Sequence, residues 1–292
     1  MLADVRPEPS PETHEQLRIL LLTSDNCNQW ALDHRLTAVG DLVGIVFSEN
    51  LPGGSVVPQQ KHPALRRLTR APFNWPFRNA WFQLLDGYRK EFQSAPDVST
   101  WNVAEVNGEL TSEVITNTGP DVVLVSGTNL LRSQLIAHAN GSSRYGTINL
   151  HTGLSPYIRG GPNCTNWCLA TRRPWMIGNT VMWIDEGIDS GDVLATEGTP
   201  IDGGETLLQL HRRVMDHAHD LTCRTVTAIE DGRVTPRVQG SFGTSGDLYL
   251  TRDWSPSHML RASLYMRTRY RNAVSQQGFT DQRERLEFVQ LG

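Results

Sequence analysis

The chain has 292 residues, enough for a full hydrophobic core in one large domain or in one domain with an appendage. It is 38% hydrophobic, 20% charged and 8% aromatic, with a formal charge of −4 that supplies no bulk attraction for nucleic acid or an anionic membrane. No apolar stretch approaches the roughly 18–20 residues that span a bilayer, and Cys27, Cys164, Cys168 and Cys223 lack zinc-type pairing, which suits free thiols in a reducing cytoplasm.

The first 17 residues are polar and rich in proline and glutamate, which predicts a flexible leader with no apolar signal core. Residues 19–23 (ILLLT) read as a strand buried on both faces. The segment Asp25-Asn26-Cys27-Asn28 follows, then a helix over 30–38 and a strand over 42–47. This order predicts a right-handed crossover in an α/β sheet. Residues 51–58 (LPGGSVVP) read as loop. The stretch 62–92, rich in Arg, Trp and Phe, reads as helical in parts with breaks at Pro72 and Pro76. A short strand over 101–106 comes next, then a helix over 110–118 stopped by Gly119-Pro120. A buried strand over 121–126, a helix over 133–139 and a strand over 146–150 follow. Further on, a helix over 163–170, strands over 180–184 and 192–199, and a loop over 187–191 between those strands are expected. The best long helix is 206–229, where Leu207, Leu210, Val214, Ala218, Leu221 and Val226 recur at helical spacing. Residues 244–254 give a glycine turn into a strand, 262–270 a helix, and the tail is charged.

The most informative chemistry lies between 147 and 194. Asn149 and His151 sit two apart at the end of a strand, so both side chains share a face at the edge where α/β sheets bind ligands. A carboxamide can donate to an oxyanion, and a neighbouring histidine can donate likewise or accept a proton. Gly153, Pro156, Gly160, Gly161 and Pro162 crowd the loop that follows, with Arg159 as a cation at its rim. Further on, Asp185-Glu186-Gly187-Ile188-Asp189-Ser190-Gly191-Asp192 offers carboxylates whose spacing does not fit an EF-hand; a carboxylate orienting His151 or holding a water is the simpler reading. His217 and His219 are two apart on a helix and do not share a face, so no metal site is expected there. Cys164 and Cys168, one helical turn apart, read as core thiols, and Trp167 and Trp175 as packing residues.

The motifs NLH at 149–151, LSPYIRG at 154–160 and DEGIDSGD at 185–192, in that order, resemble those of the N10-formyltetrahydrofolate-dependent formyltransferases. That family includes glycinamide ribonucleotide, methionyl-tRNA and sugar N-formyltransferases. The resemblance runs from about residue 19 to 232. It implies an α/β, Rossmann-like catalytic domain with a mostly parallel twisted sheet over 18–232, followed by a small C-terminal extension over 233–292. It places the catalytic trio on Asn149, His151 and Asp189. The folate pterin is then expected between two backbone segments. One comprises Gly127, Thr128, Asn129, Leu130, Leu131 and Arg132; the other comprises Ile184, Asp185, Glu186, Gly187 and Ile188. The amine acceptor is expected near Ser24, Asp25, Asn26 and Asn28, and near Arg159, Gly160, Gly161 and Asn163.

Departures from the family narrow the acceptor. Glycinamide ribonucleotide formyltransferases carry a glycine-rich phosphate cradle after the first strand, where this chain has SDNCNQ. Methionyl-tRNA formyltransferases add a basic C-terminal barrel, whereas only about 60 residues, not strongly basic, follow Gly232. The expected partner is thus a small-molecule amine, with a nucleotide-linked aminosugar favoured over a hydroxylated ornithine or an amino acid derivative. Nucleic acid, membrane and metal are not expected, and a homodimer is left open. Hydrolysis of the same folate is the enzymatic alternative, and a folate- or nucleotide-binding module the non-enzymatic one.

Overall fold

Consecutive residues of β1 (Arg18–Thr23) face opposite cores: Ile19 and Leu21 pack into one cluster of buried side chains, Leu20 and Leu22 into another. A strand covered on both sides has no polar face, which is why its sequence is an unbroken apolar run. The computed structural model describes residues 16–49, 64–161, 163–244 and 246–292, with backbone alone for 64–73. The expected leader, apart from its last two residues, and the expected loop over 51–58 lie outside the described residues.

From β1 the chain passes through α1 (Cys27–Leu36), β2 (Asp41–Ser48), α2 (Ala64–Phe92), β3 (Thr100–Val103), α3 (Glu109–Thr118), β4 (Val122–Ser126), α4 (Ser133–Ser142) and β5 (Gly146–His151). It continues through β6 (Ile158–Gly160), α5 (Cys164–Ala170), β7 (Gly178–Trp183), β8 (Val193–Gly198) and α6 (Leu207–Glu230). The described main sheet has seven strands in the order β3-β2-β1-β4-β5-β7-β8. The pairs among β3, β2, β1, β4 and β5 are parallel; β5 with β7 and β7 with β8 are antiparallel. The expected mostly parallel α/β sheet is therefore present. Its strand order reverses between β1 and β4, which opens a crevice beyond their carboxyl ends.

One face of the sheet is covered by α1 and α6 through Leu32, Leu36, Ala218, Leu221 and Val226. The other is covered by α3 and α4 through Val114, Ile115, Leu135 and Ala139. Helix α6 starts at a capping box, in which Thr206 Oγ accepts from Gln209 N at 3.3 Å and Gln209 Oε1 accepts from Thr206 N at 2.9 Å. Gly119, at φ +51°, ends α3 in the left-handed conformation that glycine adopts cheaply.

Two expectations are corrected. Helix α1 begins at Cys27 rather than near 30, so Asn28 is a helical residue, 3% exposed. Helix α2 runs unbroken through Pro72 and Pro76. The two prolines lie one turn apart and so remove hydrogen bonds on one side of the helix only. Phe77, Ala80, Leu84 and Tyr88 then bury at helical spacing and hold the rest of α2 in place.

Beyond α6 come a 3-10 turn over Gln239–Phe242, β9 (Asp247–Tyr249), α7 (Pro256–Thr268), α8 (Tyr270–Ser275) and α9 (Gln277–Glu284). Strand β9 pairs with β6 in a two-stranded parallel ribbon. Trp254, Met259, Tyr265 and Tyr270 share a core cluster with Phe77, Trp167, Leu210 and Val214, so these C-terminal residues pack as part of the same interior. The charged tail is itself helical at α9 and returns Val289 to a buried cluster with Val193 and Phe242.

Candidate active site

Strand β5 ends at His151, and its pleat puts the side chains of Asn149 and His151 on one face. The loop between β7 and β8 leaves the sheet opposite Ile148 and folds back along β5. Gly191 makes that return: a Cβ there would lie 1.9 Å from the Trp183 carbonyl oxygen. The return brings Asp189 to the two β5 side chains. Asn149 Nδ2 stands 3.4 Å from Asp189 Oδ1, and His151 Nδ1 stands 3.4 Å from Asp189 Oδ2. A third donor is shorter, the backbone N–H of Gly160, 2.8 Å from Asp189 Oδ2. The His151 and Asp189 side chains are only 9% and 15% exposed, so the pair works in a partly dehydrated environment where its attraction is little screened.

The other side of the imidazole is equally confined. His151 Nε2 faces the Ile158 carbonyl at 3.3 Å and Cys164 Sγ at 3.6 Å. Gly153 leaves room for this packing, since a Cβ there would lie 2.3 Å from Nε2. Both ring nitrogens thus face oxygen acceptors, an arrangement in which each N–H of an imidazolium finds a partner. Burial, aided by the negative charges near it, pushes the Cys164 thiol well above its ordinary range, and burial pushes Cys168 up to about 12. Both are protonated packing groups near neutral pH.

A cavity of about 540 Å³ opens over this trio. Its walls include Gly127, Thr128, Asn129, Leu130 and Leu131 on one side, and residues 184–191 on the other. Gly160, Gly161, Thr152, Leu250 and Thr251 close the third side. Of the expected pterin residues, only Arg132 is outside this lining; its guanidinium pairs with Glu105 at 3.2 Å. Asp185 Oδ1 accepts from Gly187 N at 3.0 Å and Ser190 Oγ at 2.7 Å, which shapes the acidic loop from within. Asn129 Nδ2 is a buried donor with no partner among the described residues.

The expected acceptor residues divide. Gly160 and Gly161 line the cavity; Ser24, Asp25, Asn26, Asn28, Arg159 and Asn163 do not. Ser24 lies just beneath its floor, since a Cβ on Gly127 would come within 3.3 Å of Ser24 Oγ. Asn26 Nδ2 donates to Ser24 Oγ at 2.9 Å. Asp25 accepts from Trp30 Nε1 at 2.8 Å and borders a separate open depression with His34 and Phe47. Asn163 caps α5 by accepting from Asn166 N at 3.0 Å. Among residues that sequence reasoning passed over, Leu250 and Thr251 reach the cavity by way of the β6–β9 pairing, and Gln239 contacts the Asp189 carbonyl oxygen, as does Ser155 of the LSPYIRG motif. A lone polar residue in a connecting segment carries no sequence signal for any of these contacts.

The other candidates are structural. His217 binds Asn179 at 2.8 Å and Glu197 at 3.0 Å through its two ring nitrogens, while His219 is fully buried against other neighbours. Trp167 stacks on Tyr249 with ring centroids 4.2 Å apart.

A family model described as formyl transferase matches residues 56–226, more than half of the chain. The chain belongs to the formyl transferase family. The chain is 31% identical over 153 residues to the methionyl-tRNA formyltransferase of Clostridium perfringens (strain SM101 / Type A), covering 50% of this chain and 48% of the relative. To that of Halorhodospira halophila it is 33% identical over 145 residues, covering 49% and 45%. It therefore spans about half the length of the curated relatives it matches. Among solved structures, a sugar N-formyltransferase from Shewanella sp FDAARGOS_354 aligns over 84% of this chain and 87% of its own, with a TM-score of 0.52 at 17% identity. A 4-N formyltransferase from Francisella tularensis aligns over 85% and 88%, with a TM-score of 0.53 at 15% identity. Glycinamide ribonucleotide transformylase 1 from Symbiobacterium toebii aligns over 78% and 95%, with a TM-score of 0.51 at 16% identity. At these identities the likeness is one of fold.

Proposed function

We propose that this protein transfers a formyl group from N10-formyltetrahydrofolate to the primary amine of a small acceptor, a nucleotide-linked aminosugar. The observation that carries the reading is the placement of the Asp189 carboxylate between the amide of Asn149 and the imidazole of His151, at the base of a cavity. The cavity suits the folate: its volume is within the range of small-molecule sites, two of its walls are loops that offer backbone donors and acceptors, and Asn129 Nδ2 is a donor with no partner among the described residues. The folate supplies the formyl carbon that the amine attacks; as the new C–N bond forms, the carbon's bond to N10 breaks and tetrahydrofolate departs.

The work left to the chain is electrostatic and proton handling. Asn149 Nδ2 donates to the formyl oxygen as negative charge develops there. His151 takes part in moving the proton that the amine loses toward the departing nitrogen of the folate. Asp189, 3.4 Å from His151 Nδ1, orients the ring. Burial keeps water from competing.

The acceptor reading is supported by three features. The turn after β1 offers SDNCNQ instead of a glycine cradle for a terminal phosphate. The formal charge of −4 provides no broad cationic field for tRNA. The sugar N-formyltransferase from Shewanella aligns over most of both chains.

The test is a transfer assay with 10-formyltetrahydrofolate and a panel of nucleotide-linked aminosugars, small amines and methionyl-tRNA. Acceptor-dependent release of tetrahydrofolate with an aminosugar is the expected result. Formate release without any acceptor points to hydrolysis, transfer to methionyl-tRNA alone overturns the acceptor, and full transfer by folded His151→Ala and Asp189→Asn variants overturns the mechanism.

A further inference from the structure

Asp189 is held by a side chain that lies 50 residues away in sequence and outside all three motifs. Its φ of +49° puts a residue with a Cβ in the left-handed region, which needs support from its surroundings. The support is the side-chain amide of Gln239. It donates to the carbonyl oxygens of Asp189 and Gly191, both at 2.8 Å. Turning the amide over would set Oε1 against two carbonyl oxygens, so the network fixes its orientation. Gln239 itself is only 7% exposed and firmly seated. The backbone of Arg237, two residues earlier, exchanges hydrogen bonds with Val193 at 2.8 and 2.9 Å, and Phe242, three residues later, is buried with Val193 and Val289.

The clamp therefore joins the segment after α6 to the acidic loop. Without it, the Gly191 carbonyl oxygen loses its donor, the Asp189 carbonyl oxygen keeps only the longer one from Ser155 Oγ at 3.4 Å, and the left-handed residue loses its firmest support. The Asp189 carboxylate would then leave the line it keeps with Gly160 N, His151 Nδ1 and Asn149 Nδ2.

We propose that Gln239 is a positioning residue for formyl transfer, holding the 189–191 turn so that the Asp189 carboxylate stays against His151 and Asn149. This rests on the reading of Asp189 given above. Gln239 touches neither the acceptor nor the formyl group and acts only through the loop.

The test compares Gln239→Leu, Asp189→Asn and the double variant in steady-state transfer, with 15N shifts of the His151 ring as a second readout. Gln239→Leu is expected to lower kcat by roughly ten- to a hundredfold, the scale of an ångström-level misplacement, with KM for the folate within about twofold. The His151 shifts should move toward those of Asp189→Asn. The double variant should be no slower than Asp189→Asn alone, because Gln239 acts through that carboxylate. Where Gln239→Leu does not fold, Gln239→Glu, equal in size but without the donors, carries the same expectations. A folded Gln239 variant with wild-type kcat and unchanged His151 shifts, beside an inactive Asp189→Asn, overturns the clamp while leaving the Asp189 reading intact. Full transfer by Asp189→Asn overturns both.

Discussion

The backbone N–H of Gly160 donates to Asp189 Oδ2 at 2.8 Å, and only glycine can occupy the position from which it does so. Gly160 has φ +87°, and a Cβ there would lie 2.1 Å from the Tyr249 carbonyl oxygen across the β6–β9 ribbon. That contact is with backbone and cannot be relieved by a rotamer change. Gly160→Ala is therefore expected to push β9 away, withdraw the N–H from Asp189 and lower both stability and transfer. A loss of about 1–3 kcal/mol in urea unfolding is the scale for overpacking at a strained position. Transfer should fall at least tenfold at a temperature where the variant is still folded. Wild-type transfer would show that the N–H contributes nothing to holding the carboxylate.

Asn149→Ala separates charge stabilisation from binding. The amide is placed to act on charge that appears only in the transition state, so its loss should appear in kcat and hardly in KM. A fall of about 10²–10³ in kcat is the scale for one oxyanion donor. Folate titration by fluorescence provides the independent check, with affinity expected within a few-fold of wild type. If affinity collapses while kcat at saturation holds, Asn149 belongs to binding instead.

How much of this was legible in the sequence follows from what each feature leaves behind. Strand β1 is visible because burial on two faces leaves an uninterrupted apolar run, and α6 because Leu210, Val214, Ala218 and Leu221 mark one face of a helix. The trio of Asn149, His151 and Asp189 could be nominated from ordered motifs, but its convergence depends on a loop that doubles back, and no periodicity encodes that. Strands β6 and β9 have three residues each, too few to show alternation. Pro72 and Pro76 misled because local propensity argued for breaks while buried contacts from Phe77 onward kept the helix whole. Asn163 caps α5, and a cap and a binding residue look alike when only the residue type is known.

The C-terminal tail is tied to the sheet through a buried cation. The Arg283 guanidinium donates to the carbonyl oxygens of Ile177, Thr199 and Trp175 at 2.8, 2.9 and 3.3 Å. Burial lowers its pKa to about 10, so it remains charged at neutral pH. Arg283→Ala removes a donor from all three oxygens, leaving Ile177 with the Thr199 N–H at 3.0 Å, and should cost about 2–5 kcal/mol. Residues 233–292 are expected to melt with the rest in one transition, because their aromatic side chains share a core with α5 and α6. Calorimetry of wild type and variant checks both points; two resolved transitions in the wild type would refute the shared unit.

The last prediction concerns acid. His211 and His219 are buried, and desolvation lowers their pKa values to about 4 and about 3. In the unfolded chain both titrate near 6.5. The unfolded state therefore binds more protons below that pH, and stability is lost as pH falls from about 6.5 toward about 4, by roughly 1 kcal/mol per pH unit for each histidine. Asp33 works in the opposite direction. Burial, with the charge of Asp25 adding to it, raises its pKa well above the carboxylate range, and neither oxygen has a hydrogen-bond partner among the described residues. Its protonated form favours folding at low pH, and that contribution is lost as pH rises through its folded value. Two histidines oppose one aspartate, so the net slope between pH 6.5 and 4 is destabilising on acidification, by roughly 1 kcal/mol per unit while Asp33 is protonated in the native state. Removing the offset with Asp33→Asn should steepen the acid loss, and removing one histidine with His219→Phe should flatten it. Urea unfolding at pH 7, 6 and 5 measures both slopes; identical slopes in all three proteins would mean that these buried groups titrate alike in the folded and unfolded chains.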